Sequence, residues 1–178
     1  MNAWDVLTAE GTPESGMAYF EGTEKTEELI GLAWILEDGS GEFYSSLSDV
    51  FGDTEAKDLF SKLTDAEENH KTPLNNLSLW TSGKHPGKEF PRDVISVQDA
   101  GDVMEEGMRV SEGIEWVNQN GFRDALDLSV SLEANSYDLY IKMSQSMKDE
   151  HSRNVFETLV KEERYHLRKL AELLEKKI

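Results

Sequence analysis

The chain has 178 residues, a net charge of −18 and no Cys. Its length fits one domain with a sizeable core, and without Cys there can be no disulfide framework, thiolate zinc site, cysteine-held Fe–S cluster or cysteine nucleophile. The acidic excess argues against nucleic acid as a partner, because phosphates recruit clustered Lys and Arg.

The first basic residue is Lys25, after Asp5, Glu10 and Glu14, which is unlike a secretory signal. The longest strongly apolar run, residues 29–36, is shorter than the roughly 20 residues that a membrane span needs. A soluble, cytoplasmic protein with no membrane partner is the expectation. Residues 1–22 carry no clear period and are expected to form an N-terminal arm. Residues 23–178 are expected to make a single bundle: a first helix pair over 23–81, a crossover over 82–120 and a second pair over 121–178.

The first helix is expected over 23–50, with Thr23 and the following Thr26-Glu27-Glu28 as its cap region. Gly52-Asp53-Thr54 should break the chain and start a second helix that runs to about Trp80. Pro73, inside that helix, should kink it and free a carbonyl. Pro86, Gly87 and Pro91 require a loop, and residues 97–118 read as an extra helix along the bundle. A third helix follows Gly121 to about Met147; after a turn at 149–152 the fourth continues almost to Ile178. The late basic residues Lys161, Arg164, Arg168, Lys169, Lys176 and Lys177 read as complements to that helix's dipole and as intrahelical pairs.

The two helix pairs repeat each other. Sliding the chain by 96 residues matches Glu37, Tyr44, Asp53, Glu67, His70 and Leu74 to Glu133, Tyr140, Asp149, Glu163, His166 and Leu170, among thirteen identities in 46 positions. Each copy has a Glu followed thirty residues later by Glu-x-x-His. On the second helix Phe60, Leu63, Glu67, His70, Leu74 and Leu77 share one face, and Phe156 to Leu173 do so on the fourth. The first helix gives the stripe Ile30, Trp34, Glu37, Gly41, Tyr44 and the third gives Leu126, Val130, Glu133, Tyr137, Tyr140.

Four inward carboxylates would repel one another unless protonated or bound to cations. Glu-x-x-His sets both side chains on one face, one turn apart, so each pair can hold one ion. Glu37, Glu67, His70, Glu133, Glu163 and His166 are therefore the candidate metal ligands. The oxygen-rich donor set suits Fe or Mn better than closed tetrahedral zinc.

With this paired motif, residues 23–178 resemble the ferritin-like superfamily, rubrerythrin-like proteins in particular. The resemblance implies an all-α, ferritin-like four-helix bundle with one long crossover. It implies two iron ions, with Glu37, Glu67 and His70 around one and Glu133, Glu163 and His166 around the other, the Glu-x-x-His glutamates bridging. Tyr44 and Tyr140 then resemble the family's tyrosines behind the ligands, able to hydrogen-bond ligand carboxylates or supply an electron. Reduction of hydrogen peroxide or dioxygen, an external electron-donor protein and a homodimer are the implied activity and partners. Iron oxidation and storage of the ferritin type is the alternative, and a bundle that needs metal only to fold is a third.

The sequence departs from rubrerythrins at two points. The extra glutamate one turn from the helix-3 ligand is missing, since Val130, Ser136 and Tyr137 stand around Glu133, and no rubredoxin-like domain is possible without Cys. His85 and His151 read as surface histidines, Glu68 and Glu162 as solvated neighbours of the ligands, and Trp34 as core. Glu105 and Glu106 read as a solvated face rather than an iron-access patch.

Overall fold

The computed structural model describes residues 24–95, 103–104 and 107–177. Among the described residues five helices follow in order: α1 (Thr26–Val50), α2 (Thr54–Ser82), α3 (Val110–Asn120), α4 (Phe122–Ser146) and α5 (Glu150–Lys177). α1 with α2 and α4 with α5 form two helical hairpins. α2 packs on α5 and α1 on α4, and α3 lies against α1 and α4. The result is a ferritin-like four-helix bundle with one long crossover that carries the extra helix. Among the described residues no helix is long and apolar enough to cross a membrane.

The two hairpin turns use the same chemistry in the 96-residue register. Asp53 sits at the N-cap of α2 and accepts the Ala56 N–H at 3.0 Å. Asp149, ahead of α5, accepts the Ser152 N–H and the Ser152 hydroxyl, both at 2.7 Å. Each satisfies donors that a helix start leaves without partners. α2 stops at Gly83, whose φ of 69° puts it in the left-handed region that glycine adopts without strain.

Three expectations need correction. α1 begins at Thr26 with Lys25 in the N-cap position, and Glu28 Oε2 accepts the Lys25 backbone N–H at 2.8 Å. Thr23 is outside the described residues, as are the arm over 1–22 and Glu105 and Glu106. Of the crossover helix expected over 97–118, residues 97–102 lie outside the described residues, and the helix starts only at Val110, after a turn across which Val103 bridges Arg109. In that turn Gly107 takes a φ of 73° and the Met104 N–H donates to the Met108 carbonyl at 2.8 Å. Finally, Lys176 and Lys177 do not pair within α5. They reach Glu55 and Asp53 at the start of α2, at 2.5 and 2.8 Å, whereas Lys169 pairs along the helix with Glu172 at 2.8 Å.

The crossover is seated on α1 through glycine. A Cβ added at Gly39 would collide with the Val103 carbonyl oxygen, so only glycine admits that backbone. α2 continues through Pro73.

The bundle core divides into two apolar clusters. One gathers Phe43, Leu47, Phe60, Leu63, Leu126 and Leu170 with Val110 and Val117 of α3. The other gathers Leu29, Ile30, Leu74, Leu77, Leu139, Phe156 and Leu159. On each long helix a polar pair or single glutamate falls between the two clusters: Glu37 between Leu36 and Phe43, and Glu67 with His70 between Leu63 and Leu74. Likewise Glu133 lies between Leu132 and Leu139, and Glu163 with His166 between Leu159 and Leu170.

Candidate metal centre

All six side chains singled out by the repeat meet in that polar layer. Glu37, Glu67, Glu133, Glu163, His70 and His166 are each buried, at 5% exposure or less. They form two groups whose donor atoms lie within 4.8 Å of one another, either of which could hold a metal ion. Glu37, Glu67, His70 and Glu163 make the first group; Glu67, Glu133, Glu163 and His166 make the second. Glu67 and Glu163 belong to both.

The imidazoles point Nδ1 into the layer. His70 Nδ1 is 2.8 Å from Glu37 Oε2, 3.0 Å from Glu67 Oε2 and 3.4 Å from Glu163 Oε1. His166 Nδ1 is 3.1 Å from Glu133 Oε2, 3.5 Å from Glu163 Oε2 and 3.6 Å from Glu67 Oε1. The two rings stack with centroids 5.4 Å apart and planes 16° from parallel. The tyrosines act crosswise between α1 and α4. The Tyr44 hydroxyl donates to Glu133 Oε1 at 2.6 Å, and the Tyr140 hydroxyl donates to Glu37 Oε1. Each phenol thereby orients the opposite hairpin's carboxylate while its ring extends an apolar cluster.

Burial pushes all four carboxyl groups toward the neutral form. For Glu67 it is reinforced by the charges of Glu37, Glu163 and Glu133, and for Glu163 by Glu133, so both are raised well above the ordinary value. For Glu37 burial is outweighed by the His70 charge and by hydrogen bonds from Glu67, His70 and Tyr140, and the group ends low. Glu133 is lowered in the same way by His166, Glu163 and Tyr44. Burial disfavours charge on the imidazoles, yet Glu37 at His70 and Glu133 at His166 override it and raise both.

The shifts thus favour two protonated glutamates, two carboxylates and two imidazolium rings, a set whose charges cancel. Two divalent ions would supply the same positive charge to four carboxylates and two neutral imidazoles. Glu163 Oε1 is buried with no hydrogen-bond partner, a costly state for a carboxyl oxygen that metal ligation would relieve. The donor set fits a pair of divalent ions.

One contact with the cluster lies off the inward stripes. Glu162, read from sequence as solvated, is half-exposed but places Oε2 2.6 Å from His70 Nε2. The adjacent pair Glu162-Glu163 was the available signal: a long side chain one residue before a ligand can reach the neighbouring helix. Glu68 differs, being 72% exposed and paired at 2.5 Å with Lys71. Trp34 is half-buried outside the layer, edge-on to Phe90 at 6.0 Å and under Lys71 Nζ at 5.0 Å. Gly41, Val130 and Tyr137, placed on inward stripes from sequence, are also only half-buried. His85 and His151 are exposed, His151 against Trp80 at 4.9 Å.

No protein-family model matches the chain, and no curated protein matches it in sequence. Its fold is shared with solved structures. A hypothetical protein from Pyrococcus furiosus aligns with a TM-score of 0.67 and 24% identity, over 93% of this chain and 95% of that one. A protein provisionally described as a ferritin-like diiron-carboxylate protein, from Thermotoga maritima, aligns with a TM-score of 0.64 and 24% identity, over 86% and 97%. At that identity the likeness concerns the fold, and it places this chain among ferritin-like helical bundles.

Proposed function

We propose that the chain is a non-haem di-iron carboxylate oxidoreductase of rubrerythrin-like type, which reduces hydrogen peroxide or dioxygen. The observation that carries the reading is the double membership of Glu67 and Glu163 in two buried four-residue donor groups. Glu67 and Glu163 would bridge two irons, with Glu37 and His70 completing one position and Glu133 and His166 the other. The ferritin-like diiron-carboxylate description of the Thermotoga protein supports the same metal, and manganese suits the same donors.

Bound iron would supply the electrons by cycling between its ferrous and ferric states. One peroxide takes two electrons and two protons to become two waters. Tyr44 and Tyr140 hold the terminal carboxylates in place from opposite helices, and both are fully buried. The apolar clusters on either side shield the carboxylates from water along the helices, which strengthens the charge interactions between them. A separate donor protein would return the electrons, since these 178 residues hold no Cys for a rubredoxin-like centre. A homodimer is the proposed assembly.

Ferritin-type iron oxidation is the second reading, favoured by the absence of a further glutamate beside Glu133, where Val130 and Ser136 stand. The two separate on anaerobic loading with two Fe(II) per chain, followed by peroxide or dioxygen. Faster oxidation by peroxide, with repeated turnover once reductant is added, supports the peroxidase. Comparable oxidation by dioxygen, with Fe(II) consumed beyond two per chain, overturns it in favour of iron handling.

A further inference from the structure

The internal repeat is broken at one position that touches the centre. Glu162 of α5 bonds His70 Nε2, but its counterpart 96 residues earlier is Ala66 of α2. Ala66 has no polar atom to offer His166, and among the described residues no side chain pairs with His166 Nε2. In place of a carboxylate there is a cavity of about 620 Å³ between α2 and α5, lined by Leu59, Lys62, Ala66, Tyr165, His166 and Lys169 among others. One imidazole is thus held from behind by an anion, while the other backs onto open space.

A carboxylate behind a ligating histidine fixes ring orientation and tautomer and raises the basicity of the other nitrogen, toward the metal. We propose that the two metal positions are inequivalent: Glu162 is a positioning residue that makes the His70 position the tight one, and the His166 position, open to the cavity, is the one that exchanges its ion. This rests on the reading that the cluster holds two ions. The cavity wall is mixed, with Lys169 paired to Glu172 and Lys176 to Glu55, so it admits small hydrated ions and small neutral oxidants without selecting a large charged ligand.

The test is Co(II) titration of the metal-free, full-length chain, followed by visible absorption and calorimetry, then a chelator chase. Wild-type protein should fill in two steps and release its ions in a fast and a slow phase of equal size. Glu162→Gln should weaken the tight step about tenfold to hundredfold and leave the weak step within about threefold. Glu162→Asp, which keeps the anion, should restore part of that loss. Ala66→Glu should tighten the weak step and slow the fast release, because it rebuilds the missing half of the repeat. A ring N–H resonance protected from water exchange in wild type and lost in Glu162→Gln would show the His70 contact directly. Two equal steps in wild type, or an equal loss at both steps in Glu162→Gln, would overturn the inference and leave the two-ion centre standing. Failure of the wild type to bind any Co(II) would overturn both.

Discussion

Glu67 and Glu163 differ from the other two buried carboxyl groups in their metal-free state. Burial and neighbouring carboxylates push both toward the protonated form, which resembles an amide more than an anion. A Glu67→Gln, Glu163→Gln double variant should accordingly leave the stability of the metal-free protein within about 1 kcal/mol. It should abolish the rise in melting temperature that Mn(II) gives the wild type, as read by calorimetry with and without metal. Retention of that rise would remove these two side chains from the centre. Tyr44 gives the complementary test, because it donates to a carboxylate that is charged. Tyr44→Phe strips Glu133 Oε1 of its donor at 2.6 Å, and loss of a hydrogen bond to a charged group costs about 1.5–3 kcal/mol. The loss should appear in urea unfolding of the metal-free protein, and Tyr140→Phe should match it through Glu37. At this scale much was legible in the sequence: the 96-residue repeat and its interrupted apolar stripes single out the six residues that the fold brings together. Glu162 was not, because periodicity assigns a face from the backbone angle alone. Whether a long side chain at the edge of that face crosses to the next helix depends on helix spacing, which a single helix's pattern does not encode.

Helix ends were readable where the chain states them chemically. Asp53 and Asp149 stand one residue before α2 and α5, and each accepts a backbone N–H three residues on. Both carboxyl groups are lowered, Asp53 by Lys177 and Ala56 and Asp149 by Ser152. Asp149→Ala should cost about 1 kcal/mol and at most about 2 kcal/mol, by loss of a helix cap. The crossover was legible only in part, because its turn is closed by a local backbone pairing and seated by a contact with α1. Glycine and proline mark its loop, but the turn at Gly107 depends on the pairing of Val103 with Arg109, which no apolar period encodes, and on burial of Met104 against α1 at Gly39. Gly39 of α1 is where the crossover backbone touches the helix. Gly39→Ala should raise helix propensity by about 1 kcal/mol on its own. It must also displace the Val103 carbonyl, and overpacking of this kind costs about 1–3 kcal/mol. The balance is a net destabilisation, measurable as a lower urea midpoint with an unchanged slope; a higher midpoint would mean that the crossover yields freely.

For the whole molecule, the polar layer makes stability depend on pH and on metal in opposite senses. Glu67, Glu163, His70 and His166 all bind protons more tightly folded than unfolded. Their stabilisation is complete below the ordinary values of 4.5 for the carboxyls and 6.5 for the imidazoles, and is lost as pH rises through the raised folded values. Glu37, Glu133, Asp53 and Asp149 are lowered, so their contribution is present above their ordinary values and lost only as pH falls through the lowered ones, in acid. Between about pH 5.5 and about pH 7.5 the first set dominates, and the metal-free protein should lose stability as pH rises. Divalent ions act the other way, because every proton on the six ligands competes with them and that competition fades at higher pH. The gap in melting temperature between Mn(II)-loaded and chelator-treated protein should therefore widen steadily across that window. A constant gap would mean that the ions displace no protons, and would place them on the acidic surface of this −18 chain rather than between its two apolar clusters.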